Sequence, residues 1–193
     1  SITKLSGSFD IILYIGYDHD DRLYSNISLP DTYDNIKLKW YPFDSSYKGK
    51  PTHIWNDLAK FAINDNIEYL QIGGDDISYD KRSDWLGRFI KLLNKKNNIG
   101  YAAGYSNNDN IPTQFLLHKK HIDIFEFIYP PQIHNYFCDD FMYEIYGERG
   151  IWEKEYKHFN LGGEPRYTPK NDKKLCNMLV KRYKPTLNRY SNK

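Results

Sequence analysis

Cysteine is scarce in this chain, and no apolar run is long enough to cross a membrane. Only Cys138 and Cys176 occur among 193 residues, and two such distant residues form neither a zinc-ligand spacing nor a disulfide framework. A spanning helix needs about 20 mostly apolar residues, and the opening SITKLSG has no apolar signal-peptide core. We therefore expect no membrane span and a reducing compartment, with the cytoplasm as the location.

Neither sign of charge dominates, and several well-known phosphate-binding and catalytic motifs are missing. The chain carries 27 basic and 25 acidic residues, for a net charge of +2, without a dense basic stretch. It therefore lacks the electrostatic footprint of a nucleic-acid binder. It also has no Gly-x-x-x-x-Gly-Lys loop and no Gly-x-Ser-x-Gly elbow. We expect no nucleic-acid partner, and the acidic clusters become the candidates for chemistry.

Apolar and aromatic residues are abundant enough for a packed core. The hydrophobic fraction is 40%, with 18 Tyr, 10 Phe and 4 Trp, which argues against disorder. A chain of 193 residues is long enough for one domain with a substantial core and short for two. We expect a single domain over residues 1–193.

Strand-like and helix-like segments alternate along most of the chain. Strands are expected at Phe9–Ile15, IEYLQIGG, IGYAAGY and TQFLLH, and helices after Pro51, at DWLGRFIKLLNKKNN, KHIDIFEFI and CDDFMYEIYG, and from Lys173 to Tyr183. This alternation predicts an α/β sheet covered by helices on both faces. Such sheets bind ligands beyond the carboxyl ends of their strands, where two acidic clusters of this chain fall.

The segment YLQIGGDDISYD, residues 69–80, ends a strand with two glycines and two adjacent carboxylates. One interpretation is a simple turn, because Gly and Asp are common turn residues. The other is a ligand site, because Gly73 and Gly74 permit close approach to the backbone. Asp75 and Asp76 would then offer the hard oxygen donors that Mg²⁺ and Mn²⁺ prefer. The residues alone leave both interpretations open.

Five other residues have a structural and a functional interpretation. Asp18 begins a cluster after the first strand that could be a solvated turn. Asp139 and Asp140 begin a helix, where acids also serve as caps and compensate the helix dipole. His158 is either structural or a metal ligand, and Arg166 either caps a loop or binds phosphate.

Taken in order, six segments resemble a GT-A nucleotide-sugar glycosyltransferase of the kind encoded by large DNA viruses: YIGYDHDD, KPTHIWNDL, YLQIGGDDI, IPTQFLLHKKHIDIF, PPQIHNYFCDDF and GGEPRY. The resemblance extends from Phe9 to about Tyr167. It implies a Rossmann-like nucleotide-diphospho-sugar transferase fold with a mixed sheet flanked by helices, and the host cytoplasm if the protein is viral. The first strand usual in this fold, with its glycine- or proline-containing loop, is not visible before Phe9.

The resemblance also implies roles for the acidic residues. GGDDI takes the place of the family's DxD motif, with Asp76 as the metal ligand and Asp75 on the ribose side. Asp18 matches the acid that contacts the nucleotide base. The CDDF pair matches the catalytic acid-base motif, with Asp140 as the general base and Asp139 in support.

The implied activity is transfer of a sugar from a nucleoside diphosphate donor, UDP-linked, to a hydroxyl of a glycan or protein acceptor, with Mn²⁺ or Mg²⁺ as cofactor. Arg166 is expected to contact the donor, and His158 to join the metal. Gly74 replaces the first Asp of a strict DxD, so one carboxylate would share the metal with diphosphate oxygens and water. Two other classes stay open: a non-catalytic nucleotide-sugar or glycan-binding module of the same fold, and a metal-dependent phosphoesterase, since clustered carboxylates also build two-metal sites.

Overall fold

The structure is a computed structural model that describes residue 5 and residues 8–24, 28–162 and 172–191. It is a mixed α/β fold, as the alternating sequence pattern predicts. The strands are β1 (Ile12–Asp18), β2 (Thr32–Tyr33), β3 (Ile36–Phe43), β4 (Tyr69–Gln71), β5 (Ile77–Ser78), β6 (Tyr101–Tyr105), β7 (Phe115–His118), β8 (Ile151–Lys157) and β9 (Phe159–Asn160). The helices are α1 (Pro51–Asn64), α2 (Trp85–Lys95), α3 (Lys120–Phe125), α4 (Cys138–Tyr146) and α5 (Lys173–Ser191).

The first sheet has the strand order β1-β3-β2. Strand β1 is parallel to β3 over its whole length, from Ile12 opposite Lys37 to Asp18 opposite Phe43. Because parallel strands end at the same edge of a sheet, Asp18 and the loop that follows Phe43 lie beside each other.

The second sheet has the order β4-β7-β6-β8. Strand β7 is antiparallel to both β4 and β6, and β8 is parallel to β6. Strands β4, β6 and β8 therefore run in the same direction and end at one edge. The turn that contains Asp75 and Asp76 follows β4 at this edge, and His158 follows β8 there.

Two clusters of buried side chains cover the two faces of this sheet. The larger one joins the sheet to α1, α3, α4 and α5, and includes Leu70, Phe115 and Phe141. The smaller one contains Leu5, Trp85, Phe89, Leu93, Ala102, Leu116 and Tyr156. Helix α2 supplies Trp85, Phe89 and Leu93, which are four residues apart and so share one face of the helix.

Most of the expected elements are confirmed, with shifted limits. Helix α1 begins at Pro51, where the missing amide hydrogen costs nothing. Helix α4 ends at Gly147, whose φ of 54° suits glycine. The first strand spans Ile12–Asp18 rather than Phe9–Ile15, and α5 continues past Tyr183 to Ser191. Strands β3 and β8, which hydrogen-bond to β1 and β6, were not expected from the sequence.

Candidate functional site

The two glycines after β4 make room for side chains of the chain itself. A Cβ added at Gly74 would lie 2.8 Å from Oδ1 of Asp76, and one added at Gly73 would lie 2.6 Å from the hydroxyl of Tyr79. The Asp76 carboxylate thus folds back over Gly74. Asp75 is exposed and Asp76 is half-buried. The missing Cβ of Gly74 therefore lets Asp76 sit at the turn with its carboxylate close to the backbone.

Hydrogen bonds to the segment after β8 hold this turn. The amide of Leu161 donates to the carbonyl of Asp76 at 2.8 Å, and β5 pairs with β9 antiparallel immediately after the turn. Asn107 bonds the backbone of Asn160 twice, at 3.0 and 2.9 Å. The turn that carries Asp75 and Asp76 is therefore held by hydrogen bonds to Leu161 and, through β5, to β9.

Asp80 forms a second attachment between this region and β8. Its carboxylate accepts hydrogen bonds from the guanidinium of Arg82, at 3.0 Å for each oxygen, and from the amide of Lys157 at 2.7 Å. The Arg82 guanidinium holds the pKa of this carboxyl well below its usual range, against the opposing effect of burial. Asp80 therefore has a structural role, and the sequence, in which it follows Tyr79 without any motif, gave no signal for it.

Asp18 ends β1 as a half-buried residue. It lies near Lys48, a residue for which the sequence shows no motif. The Lys48 ammonium pairs with Asp20 at 2.8 Å. Hydrogen bonding to Asp20 raises the pKa of Lys48, and the charge of Asp18 adds to this effect. Lys48 lies just after a short 3₁₀ turn, Ser45–Tyr47, that follows β3. The edge of the first sheet thus carries both carboxylate groups and the Lys48 ammonium group.

Asp139 and Asp140 occupy the first turn of α4, and the N-cap is Phe137, which makes no side-chain capping bond. Burial raises the pKa of Asp139 to about 8, and the neighbouring Asp140 adds to the shift. The Cys138 thiol lies 3.8 Å from Oδ1 of Asp139, and burial raises the pKa of this thiol as well. Asp139 is therefore mostly protonated near neutral pH.

The start of α4 and the Asp18 edge are connected through the start of α1. Asn135 donates a hydrogen bond to the carbonyl of Gly49 at 3.0 Å. The Thr52 hydroxyl contacts the carbonyls of Ile133 and His134 at 2.5 and 2.9 Å. The loop that leads into Asp139 and Asp140 therefore packs against the segment just after Lys48. The Asp75–Asp76 turn lies at the edge of the other sheet.

His158 lies in the interior of the protein and is 0% exposed. Its ring packs edge-on against Trp85 at 4.5 Å and Tyr79 at 5.1 Å between ring centroids. Burial lowers the pKa of His158 to about 4. Metal binding by His158 stays a prediction, and the burial of the ring argues against it. Arg166 lies outside the described residues, so its contact with the donor also stays a prediction.

Within residues 5, 8–24, 28–162 and 172–191, no three His, Cys, Asp or Glu side chains come together to form a metal site. Two surface clefts lie along the end of α5, next to Tyr190, and the predicted site residues line neither of them. In the same part of the chain, no helix has the length and apolar character needed to cross a membrane.

Comparisons of this chain with protein-family models, with curated proteins and with solved structures found no significant match. Membership in the GT-A family therefore stays a prediction from the six short sequence segments.

Proposed function

We propose that this chain is a metal-dependent glycosyltransferase of the GT-A type, which transfers a sugar from a UDP-linked donor to a hydroxyl acceptor. The observation that carries the proposal is the turn after β4, where exposed Asp75 and half-buried Asp76 follow two glycines at a strand end. Open α/β sheets bind nucleotides at the carboxyl ends of their strands. Carboxylates placed there suit a cation that in turn holds a diphosphate.

The side chains at this turn fit a hard divalent cation. Asp76 offers a carboxylate oxygen and Asp75 a second carboxylate beside it, and both are the hard donors that Mn²⁺ and Mg²⁺ take. The other ligands would come from the diphosphate and from water. When bound, such a cation would offset the negative charge that develops on the leaving diphosphate.

Other residues would recognise the donor's base and remove the proton of the acceptor hydroxyl. Asp18 ends β1, and ligands of such sheets bind at strand ends; it would accept a hydrogen bond from the uracil imino group. Asp140 takes the proton of the acceptor hydroxyl. Asp139, whose pKa is raised to about 8, stays mostly neutral and supports Asp140 in this role.

Replacement of Asp140 by Asn tests the assignment of the general base. Donor affinity and melting temperature should stay close to those of the wild type, while sugar transfer falls by roughly 10²- to 10⁴-fold. The matched control is Asp123→Asn, which removes an acid from the first turn of α3 instead. A variant at Asp140 that is less stable yet fully active would show that this acid only supports its helix, at a cost of about 1 kcal/mol.

The same assay separates the other two classes of function. A non-catalytic module would bind the nucleotide sugar without transfer by the wild-type protein. A phosphoesterase would cleave a phosphodiester in the absence of any acceptor hydroxyl. Sugar transfer that needs both donor and acceptor supports the proposal over both.

A further inference from the structure

Six buried side-chain atoms in the described part of the chain have no hydrogen-bond partner, and they come from only five residues. They are Oε1 of Gln71, Nε1 of Trp85, Oγ of Ser106, Oε1 of Gln114 and both ring nitrogens of His158. Buried polar atoms without partners are rare, because each loses its bonds to water on folding and regains none. The positions of these five residues in the fold indicate whether one ligand could satisfy them together.

The five residues meet at one edge of the second sheet. Gln71 ends β4, Ser106 follows β6 and Gln114 precedes β7. Because β7 is antiparallel to β4 and β6, its start lies beside their ends. His158 follows β8 at the same edge, and the ring of Trp85 packs on it. The five residues thus belong to the ends of several strands and to a helix, all at the same edge of the sheet.

Gln71 and the Trp85–His158 pair lie on the face of the sheet that the smaller core cluster covers. Leu116 of β7 lies opposite both Gln71 and Ala102, and Leu116 and Ala102 belong to that cluster, as does Trp85. Gln114 precedes β7 and is two residues before Leu116, the spacing at which side chains in a strand share a face. Tyr79 interacts with the side chain of Gln71 and packs on His158.

Two glycines border this cluster. A Cβ at Gly104 would lie 3.3 Å from Cγ of His158, and one at Gly73 would lie 2.6 Å from the hydroxyl of Tyr79. The sheet surface beside His158 therefore lacks a side chain at Gly104. Gly73 opens the turn that carries Asp75 and Asp76, and the Tyr79 ring that contacts Gly73 also packs on His158, so the cluster adjoins that turn.

The unpaired groups are neutral, and they include both donors and acceptors. The indole of Trp85 only donates, the amide oxygens of Gln71 and Gln114 only accept, and a hydroxyl or a neutral imidazole can do both. An ion would find no opposite charge among them. Water donates and accepts in equal number, and buried water makes about three bonds to groups of this kind.

We propose that Gln71, Trp85, Ser106, Gln114 and His158 form a buried water-binding site, in which ordered water links β4, β6, β7, α2 and the end of β8 next to the Gly73–Asp76 turn. The water would connect these elements through hydrogen bonds, because their buried polar atoms do not bond to one another. The inference does not depend on the proposed enzymatic activity.

The chain's three glutamines supply a matched test, because Gln114 is buried in the cluster while Gln132 is exposed. If water satisfies the cluster, Gln114→Leu removes one of its partners and should lower the melting temperature by about 2–4 °C. Gln132→Leu should leave the melting temperature within about 1 °C of the wild-type value. If the cluster is dry, Gln114→Leu replaces an unpaired amide by an apolar side chain and the melting temperature should rise, which would overturn the proposal.

A high-resolution crystal structure of the wild-type protein decides the matter even if the variant fails to fold. We expect an ordered water within about 2.7–3.2 Å of Oε1 of Gln114 and of a ring nitrogen of His158. A dry cluster in that structure would refute the site.

Discussion

Asp139 and Asp140 are adjacent in the chain but lie in different surroundings. Burial raises the pKa of Asp139 to about 8, and the same environment raises the pKa of the Cys138 thiol. Asp139 therefore holds its proton near neutral pH, which argues against Asp139 as the general base of the pair. The sequence could locate the pair at a helix start but could not show that the pKa of Asp139 is raised, because that shift depends on side chains from elsewhere in the chain.

The raised pKa of Asp139 predicts how stability depends on pH. The folded-state pKa is about 8 and the ordinary value is 3.8, so between these values the unfolded chain is ionised while the folded protein holds the proton. The free energy of unfolding should fall as pH rises through this window. Asp139→Asn cannot ionise and should gain on the order of 3–4 kcal/mol over the wild type between pH 5 and pH 8. Urea unfolding at both pH values measures this, and a constant difference would contradict it.

Gly74 and Asp76 provide a second test on individual residues. In Gly74→Ala the new methyl group would meet Oδ1 of Asp76 at 2.8 Å, so the flexible carboxylate must move away. We expect metal-dependent donor binding to weaken by about tenfold or more, equal to 1.4 kcal/mol. The free energy of unfolding should change by less than about 1 kcal/mol. Unchanged donor affinity would mean that the position of the carboxylate over Gly74 is irrelevant to binding.

The helices and the central strands were predictable because their patterns are local. Trp85, Phe89 and Leu93 recur at helical spacing, and FLLH is a continuous apolar run that forms the buried strand β7. Strands β3 and β8 were not predicted, for different reasons. The sequence of β3, IKLKWYPF, alternates apolar and charged residues and so carries a local strand signal. The sequence of β8, IWEKEYK, is rich in charge, and it becomes a strand because β6 offers it hydrogen-bond partners.

The attachment of the segment after β5 to β8 depends on Asp80. Asp80→Asn would weaken the hydrogen bonds from Arg82 and from the amide of Lys157, and should cost about 1.5–3 kcal/mol of unfolding free energy. The exposed Arg88–Glu153 pair is the control, and Glu153→Gln should cost less than about 1 kcal/mol.

The pH dependence of the Asp80 variant gives an internal check. Because Arg82 lowers the pKa of Asp80 below its ordinary value of 3.8, its contribution is complete above about pH 4 and is lost as pH falls further. The difference between wild type and Asp80→Asn should therefore shrink in acid. A difference that is the same at pH 3 and pH 7 would show that the carboxylate charge does not stabilise the fold.

For the molecule as a whole, the sequence predicted the fold class but not the arrangement of the sheets. The alternation of strands and helices indicates α/β. The division into a β1-β3-β2 sheet and a β4-β7-β6-β8 sheet depends on pairings between distant segments. The candidate site follows the same division: Asp18 and Asp140 are linked through residues 48–52 and 133–135, while Asp75 and Asp76 belong to the other sheet.

Calorimetric titration of a UDP-sugar into the protein, with Mn²⁺ and again with EDTA, is the measurement on which the proposed function depends. We expect binding in Mn²⁺ that is lost in EDTA. Asp76→Asn should lose most of the affinity, and Asp75→Asn should lose less. Equal affinity in Mn²⁺ and in EDTA, or full affinity in Asp76→Asn, would contradict a metal-dependent donor site at the Gly73–Asp76 turn.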